Sequence, residues 1–233
     1  MYRLTNILSS WRPYGAAIAL GVSLWAAHIF LPVQHNPLKP LSLDDPIGLT
    51  TYSKFTNLKY APATCFRALD AAGVQYIKIV DETTANGCGF QNALMTGRVY
   101  SEFSRDVRMT CALAAALYTW EKQAASPAAE ALLGSPLKRI ETYGTYSCRN
   151  IAGSRQRSEH ATANAIDIAG FYLEDGRYIS VLKDWDTSGP EGKYLRQLHE
   201  QACRLFSVSL GPDYNAAHAD HFHFDFGSGD SCR

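Results

Sequence analysis

The sequence has no excess of charge of either sign. Its 22 lysines and arginines balance 22 aspartates and glutamates, so the formal net charge over 233 residues is zero. A nucleic-acid-binding domain normally carries a basic stripe or patch, and the charge balance therefore argues against that class of protein. A mixed surface of this kind suits a small or polymeric neutral substrate.

Two other patterns are absent. The chain shows no internal repeat, which excludes a repeat architecture. No two cysteines have the C-x-x-C spacing that thiolate zinc sites and redox motifs use. Six widely spaced cysteines are nevertheless present, and an even set in an exported protein indicates disulfides. The pairs that we expect, each closing a local loop, are Cys65–Cys88, Cys111–Cys148 and Cys203–Cys232.

Charge is also missing from residues 14–31, which contain no aspartate, glutamate, lysine or arginine. This mostly apolar stretch approaches the roughly 20 residues needed to cross a bilayer core. Arg3 and Arg12 precede it, which predicts a cytoplasmic N-terminus and an exported body. A cleaved signal peptide is the alternative, but residues 29–32 lack the small side chains of a cleavage site. We therefore expect an uncleaved signal anchor.

The N-terminal pattern divides the chain into four parts. Residues 1–13 are expected to be cytoplasmic, and residues 14–31 to cross the inner membrane once. Residues 32–57, with several prolines and short polar side chains, are expected to form a tether. Residues 58–233 remain as one periplasmic domain, long enough to bury a substantial core.

Within residues 58–233, segments whose apolar residues recur with the helical period alternate with segments that show the strand period. The helical period predicts helices over residues 65–73, 109–125, 127–133 and 192–207. Alternating or β-branched runs predict strands over residues 74–80, 140–148, 164–169, 178–182 and 221–226. The predicted fold class is α+β, with a small, mainly antiparallel sheet flanked by helices.

Polar and aromatic residues alternate strictly from residue 221 to residue 226. Successive side chains of a strand point to opposite faces, so His221, His223 and Asp225 share one face and three phenylalanines share the other. Imidazole and carboxylate groups are ligands of first-row metals. The strand therefore predicts a core on one face and a metal site on the other.

A second polar cluster occurs earlier in the sequence, where His160 is followed by Asp167. Hydrolytic zinc sites typically use three protein ligands and leave a fourth position for water. His160, Asp167 and His223 would supply two nitrogen donors and one oxygen donor. Asp225 could hold His223 in one tautomer, as carboxylates behind metal-ligating histidines do.

The combination of His-x6-Asp with a later Asp-His-x-His resembles the D-Ala-D-Ala metallopeptidase and murein endopeptidase group. Members of that group are zinc enzymes that cut the stem peptides of peptidoglycan. The resemblance implies a zinc ion held by His160, Asp167 and His223. One departure is Asn164, which stands where relatives place a glycine four residues after the first ligand.

Further matching positions imply catalytic roles. Asp220 occupies the place of the general base in several relatives. His221 competes for that role, because a neutral imidazole near a metal can orient water or stabilise an oxyanion. His218, His221 and His223 together look like the murein endopeptidase version. Arg149 ends a Tyr-Ser-Cys-Arg stretch that resembles the segment where an arginine binds substrate or the developing oxyanion.

A closer resemblance is carried by the segments TYGTYSCRN, SEHATANAIDIAGF, GRYISVLKDW and LGPDYNAAHADHFHFDFG. These are similar to the bacterial extensin-like C-terminal family over roughly residues 58–233. The resemblances imply an exported zinc-dependent hydrolase that cleaves peptide bonds in peptidoglycan stem peptides. Two alternatives remain open: a catalytically inactive wall-binding module that retains the metal site, and a structural protein with a closed four-ligand zinc site.

Overall fold

The computed structural model describes the backbone of residues 2–233 and the side chains from residue 14 onward. Eleven strands are found within this range. They are β1 Ile77–Lys78, β2 Glu82–Thr83, β3 Gly89–Phe90, β4 Ala93–Arg98, β5 Glu102–Thr110, β6 Leu137–Gly144, β7 Ala165–Leu173, β8 Tyr178–Ser180, β9 Val208–Leu210, β10 Phe222–Asp225 and β11 Ser231–Cys232.

The helices of the described chain are α1 Tyr2–Phe30, α2 Thr51–Leu58, α3 Pro62–Ala71, α4 Cys111–Trp120, α5 Ser126–Ala128, α6 Val181–Asp184 and α7 Pro190–Ala202. Two π-helical segments, Glu121–Ala125 and Ala129–Leu133, continue α4 and α5. Short 3-10 turns occupy Val33–His35, Glu159–Thr162 and Ala216–His218.

Nine of the described strands form one open sheet in the order β1-β4-β5-β6-β7-β10-β9-β11, and β8 pairs with β7. The sheet is mixed, because β5 runs parallel to β6 and β9 runs parallel to β11. The prediction of a small, mainly antiparallel sheet was wrong for two reasons. The β4–β5 hairpin enlarges the sheet, and the long helical crossover between β5 and β6 permits parallel pairing.

The core lies on one face of this sheet, where every residue of α4 is buried. The alternation predicted for residues 221–226 is confirmed, since Phe222, Phe224 and Phe226 are fully buried. Burying each of these side chains contributes roughly 1.5–3 kcal/mol. Trp120 packs edge-on against Phe224 and donates to the Leu198 carbonyl oxygen at 3.1 Å, which joins α4, β10 and α7. The opposite face of β10 remains available for polar side chains.

None of the described helices is both long and apolar enough to cross a membrane. The predicted spanning helix over residues 14–31 is therefore not found. The uncharged stretch includes the polar His28, which interrupts its apolar side chains. The side chains of residues 1–13, predicted to be cytoplasmic, lie outside the described residues.

The segment predicted as a tether, residues 32–57, packs against the domain at several points. Leu43 and Phe55 are buried in the core, and Thr119 donates a hydrogen bond to the Leu43 carbonyl oxygen at 2.9 Å. Helix α2 forms the end of the segment. These contacts hold part of the segment on the domain, and its role as a tether between membrane and domain stays a prediction.

Every cysteine is disulfide-bonded in the described chain. The predicted pair Cys203–Cys232 is confirmed, whereas the other two predicted pairs were wrong. Packing of α3 against α4 brings Cys65 to Cys111, and the β2–β3 hairpin meets the segment that follows β6 at Cys88 and Cys148. Tertiary contacts therefore decided the pairing rather than the shortness of the loops.

Replacing both Cys88 and Cys148 with alanine is expected to lower the free energy of unfolding by about 3–5 kcal/mol. The bond closes a sequence separation of 60 residues, and its loss frees the unfolded chain. Denaturant unfolding measures the effect. The matched control replaces Cys203 and Cys232, separated by 29 residues, and should cost roughly 0.6 kcal/mol less. A larger loss for the control pair would contradict the chain-entropy explanation.

Candidate metal centre

Three neighbouring elements carry the predicted ligands. Asp167 lies on β7 and His223 on β10, and these antiparallel strands place the two residues directly opposite each other. Side chains of such a pair lie on the same face and within contact distance. His160 lies in the 3-10 turn just before β7, where the Ser158 hydroxyl accepts a hydrogen bond from the His160 backbone nitrogen at 3.3 Å. The turn ends at Ala163, whose φ of +54° redirects the chain into β7.

The three candidate ligand atoms converge. His160 Nε2 lies 3.1 Å from Asp167 Oδ1 and 3.2 Å from His223 Nδ1. His223 Nδ1 lies 2.9 Å from Asp167 Oδ1. Both imidazoles are buried, and Asp167 is partly buried. The structure therefore brings together two stretches of sequence that are 63 residues apart, in an arrangement that could hold a metal ion.

Each imidazole has a hydrogen-bond partner on the nitrogen that points away from the centre. His160 Nδ1 lies 3.1 Å from the carbonyl oxygen of Thr145. That oxygen can only accept, so the proton is on Nδ1 and the lone pair of Nε2 faces the centre. His223 Nε2 lies 2.9 Å from Asp225 Oδ2, which likewise leaves Nδ1 facing inward. Metal-ligating histidines are held by outer partners of this kind.

The centre favours positive charge. Burial opposes a charged His223, but hydrogen bonds with Asp167 and Asp225 raise its pKa to about 9. Burial acts to raise the pKa of Asp167, but hydrogen bonds with His160 and His223 outweigh it and hold that pKa well below its usual range. The inward nitrogens of His160 and His223 and the carboxylate of Asp167 can therefore share a proton or bind a cation. Two nitrogen donors and one oxygen donor fit zinc.

Another group of potential ligands in the described residues is His199, Cys203 and Cys232. It does not fit a metal, because the two sulfur atoms are joined in a disulfide and neither is a thiolate. The group around His160 is therefore the better candidate.

The two candidate catalytic residues on the histidine segment differ in position. His221 Nδ1 lies 2.8 Å from Asp220 Oδ1, and His221 Nε2 lies 3.6 Å from Asp167 Oδ1. The Asp220 side chain is 43 % exposed, and its other oxygen accepts a hydrogen bond from the Tyr143 hydroxyl at 3.1 Å. The hydrogen bond with His221 holds the pKa of Asp220 below its usual value. The imidazole of His221, and not the carboxylate of Asp220, therefore faces the centre.

An open cleft of about 590 Å³ leads to these side chains. Arg149 lies on its wall and is exposed, and its guanidinium has no hydrogen-bond or ion-pair partner among the described residues. His218 also lines the cleft, with Nδ1 2.8 Å from Asn215 Oδ1. Burial and the nearby His221 lower the pKa of His218 to about 4, so it is neutral at pH 7.

The segment 149–158 forms part of the cleft wall and is firmly anchored. Arg157 donates from Nε to the Asn86 carbonyl oxygen at 2.9 Å and from Nη1 to Asn150 Oδ1 at 2.7 Å. The Cys88–Cys148 disulfide holds the residue before Arg149 to the same neighbouring turn. The backbone around Arg149 is therefore held by contacts with the neighbouring turn at Asn86 and Cys88.

Sequence reasoning missed two groups that shape the centre. Thr145 acts through its backbone carbonyl, which no side-chain pattern can reveal. Tyr143 stands at an exposed position of β6, and the strand pattern over residues 140–148 gave no signal of a functional contact there. The departure at Asn164 has a clear role, because its amide donates to Glu159 Oε2 at 2.7 Å and its oxygen accepts from Thr110 at 3.2 Å. Asn164 thereby braces the turn that carries His160.

These features define a mixed α/β domain with a candidate metal centre on the polar face of its sheet. The family model described as Extensin-like protein C-terminus matches residues 63–233, and the chain belongs to that family. No curated protein matches the chain. The resemblance to the extensin-like C-terminal family is thereby confirmed, and the relation to the metallopeptidase group stays a prediction.

The full chain is expected to bind one zinc ion, and His223→Ala or Asp167→Asn should abolish tight binding, because each removes one of three ligands. Asp225→Asn removes only an outer partner and should weaken binding by about 10–100-fold. Elemental analysis and calorimetry with added zinc measure both effects. The matched control is His218→Ala, which should bind zinc normally. Equal zinc content in His223→Ala and the unmodified chain would contradict the assignment.

Zinc affinity is also expected to fall with decreasing pH. Since the pKa of metal-free His223 is raised to about 9, a proton occupies the centre at neutral pH and must leave when zinc binds. Displacement of one proton raises the apparent Kd about tenfold for each pH unit below that value. Competition with a chelator of known pH dependence, between pH 8 and pH 7, measures the slope. A flat profile would contradict this picture of His223.

Proposed function

We propose that this protein is an exported zinc-dependent hydrolase that cleaves peptide bonds in the stem peptides of peptidoglycan. The proposal includes the relation to the D-Ala-D-Ala metallopeptidase and murein endopeptidase group. The observation that supports it most is the convergence of His160 Nε2, Asp167 Oδ1 and His223 Nδ1, with pairwise distances between 2.9 and 3.2 Å. Three ligands leave a coordination position for water or substrate, as in hydrolytic zinc sites.

In this proposal His160, Asp167 and His223 hold the zinc ion. When bound, zinc supplies Lewis acidity, which lowers the pKa of water and polarises a carbonyl group. Thr145 and Asp225 keep the two imidazoles in the tautomers that binding requires, through their contacts with His160 Nδ1 and His223 Nε2. The buried surroundings of both histidines exclude competing water from the ligand atoms.

His221 is the residue that we assign to proton transfer. Its Nε2 carries a lone pair and faces the centre, because Nδ1 donates to Asp220. His221 Nε2 accepts the proton that the attacking water loses, and it returns that proton to the nitrogen of the leaving amine. Asp220 stabilises the imidazolium form between the two steps. The sequence left Asp220 and His221 as alternatives for the base, and the proposal assigns proton transfer to His221 with Asp220 behind it.

Arg149 is assigned to substrate binding. Stem peptides carry several carboxylates, and an exposed guanidinium that has no partner among the described residues can bind one of them in a bidentate manner. In this view the bound peptide extends along the cleft wall from Arg149 to the metal centre. Arg149 would then orient the peptide rather than take part in proton transfer.

Three disulfides support a location in an oxidising compartment, and we propose the bacterial periplasm. Peptidoglycan lies in the same compartment, so the proposed substrate would be accessible there. The attachment of the chain to the inner membrane stays a prediction from the sequence.

Digestion of isolated peptidoglycan by the zinc-loaded full chain tests the proposal. We expect fragments with new amino and carboxyl termini, read by mass spectrometry, and no release in the presence of a chelator. His223→Ala should lose zinc and release together. His221→Ala should keep zinc and lower the rate by at least about 100-fold, since acid–base catalysis commonly contributes that much. Asp220→Ala should keep zinc and lose part of the rate.

Other outcomes identify the alternatives. Sedimentation of the protein with peptidoglycan, without released fragments, would indicate a wall-binding module that retains the metal site. Unfolding of the domain by the chelator would indicate a structural zinc site with His221 or Asp220 as a fourth ligand. Either result would overturn the proposed hydrolase activity.

A further inference from the structure

Tyr143 contacts the candidate site from outside the cleft. It lies near the end of β6, next to Gly144, which pairs with Asp167. Its side chain is 52 % exposed, so the core does not require it. The ring nevertheless packs against His221, with 5.6 Å between ring centroids and an angle of 66° between the planes.

The Tyr143 hydroxyl donates to Asp220 Oδ2 at 3.1 Å, and the other oxygen of Asp220 accepts from His221 Nδ1 at 2.8 Å. Each carboxylate oxygen therefore has one partner, and Tyr143 is 77 residues away from Asp220 in the sequence. A carboxylate that is 43 % exposed and held at one oxygen only could rotate towards solvent. The second bond prevents that rotation.

The orientation of His221 depends on this carboxylate. With Nδ1 donating to Asp220, the lone pair of Nε2 points towards Asp167 Oδ1, 3.6 Å away. That separation is too long for a direct hydrogen bond and leaves Nε2 free for a proton from water. A rotation of Asp220 would release the His221 ring and allow the other tautomer, which has no lone pair facing the centre.

We infer that Tyr143 is a positioning residue, which fixes Asp220 and through it holds His221 in the tautomer that accepts a proton. The inference rests on the proposed function for its kinetic consequences. Tyr143 touches neither the three candidate ligands nor, in this assignment, the reacting atoms. Its effect should therefore appear in turnover and in the His221 tautomer, and not in zinc binding.

The test uses Tyr143→Phe in the full, zinc-loaded chain, which removes the hydroxyl and keeps the ring against His221. We expect kcat for a soluble stem peptide to fall about three- to tenfold, as for the loss of one ordinary, partly exposed hydrogen bond, with KM and zinc affinity unchanged. Tyr178→Phe is the matched control, because Tyr178 is an exposed tyrosine of the same sheet outside the site. It should behave as the unmodified chain.

A double-variant cycle separates positioning from general destabilisation. Once Asp220→Asn has broken the array, adding Tyr143→Phe should cost little further activity, because the hydroxyl acts only through that carboxylate. Two fully additive losses would overturn the inference. So would an unchanged kcat in Tyr143→Phe.

Nitrogen chemical shifts of the imidazoles give a readout that does not need activity. The Nδ1-protonated tautomer of His221 should dominate in the unmodified chain and in Tyr178→Phe, and a mixture of tautomers should appear in Tyr143→Phe. If the unmodified chain hydrolyses no peptide, the proposed function fails, and the tautomer measurement alone then decides the positioning role. Identical tautomer signals in all three proteins would overturn it.

Discussion

The pairing of β7 with β10 is the constraint on which the rest of the site depends. Its register sets His223 opposite Asp167 and Phe222 opposite Ile168. The apolar pair belongs to the buried core, so a slip by one residue would expose the phenylalanines and bury the polar face. Core packing thus enforces the separation between imidazole and carboxylate. The geometry of the centre is therefore set by the burial of the phenylalanines on the opposite face of β10.

Around this pair the protein supplies a set of fixed acceptors rather than further ligands. The Thr145 carbonyl and the Asp225 carboxylate decide which nitrogen of His160 and His223 carries a proton. Asp220 does the same for His221, whose free nitrogen faces the centre from a greater distance. Three histidines are therefore held with lone pairs directed to one region. Folding has already removed water from these imidazoles and carboxylates, so the region can bind a cation without further desolvation of its ligands.

The sequence predicted those features of the site that depend on short segments, but it did not predict the contacts between distant segments. Strict alternation predicted the two faces of β10, and the spacing of His160 and Asp167 indicated two candidate ligands, because both signals lie within short segments. The pairing of Cys65 with Cys111 depends on how α3 packs against α4, which no spacing encodes. The β4–β5 hairpin was missed because Glu102–Thr110 mixes charged and apolar residues on an exposed part of the sheet. The role of Tyr143 depends on its hydrogen bond with Asp220, which is 77 residues away in the sequence.

The disulfide between Cys88 and Cys148 couples the cleft to its chemical environment. It ties the start of segment 149–158 to the β2–β3 hairpin, while Arg157 adds only hydrogen bonds to the same hairpin connection. In a reducing compartment the covalent tie is absent, and one wall of the cleft keeps only these weaker contacts. Oxidation of the thiols therefore completes the wall that carries Arg149. The cleft wall is therefore complete only in the oxidised protein.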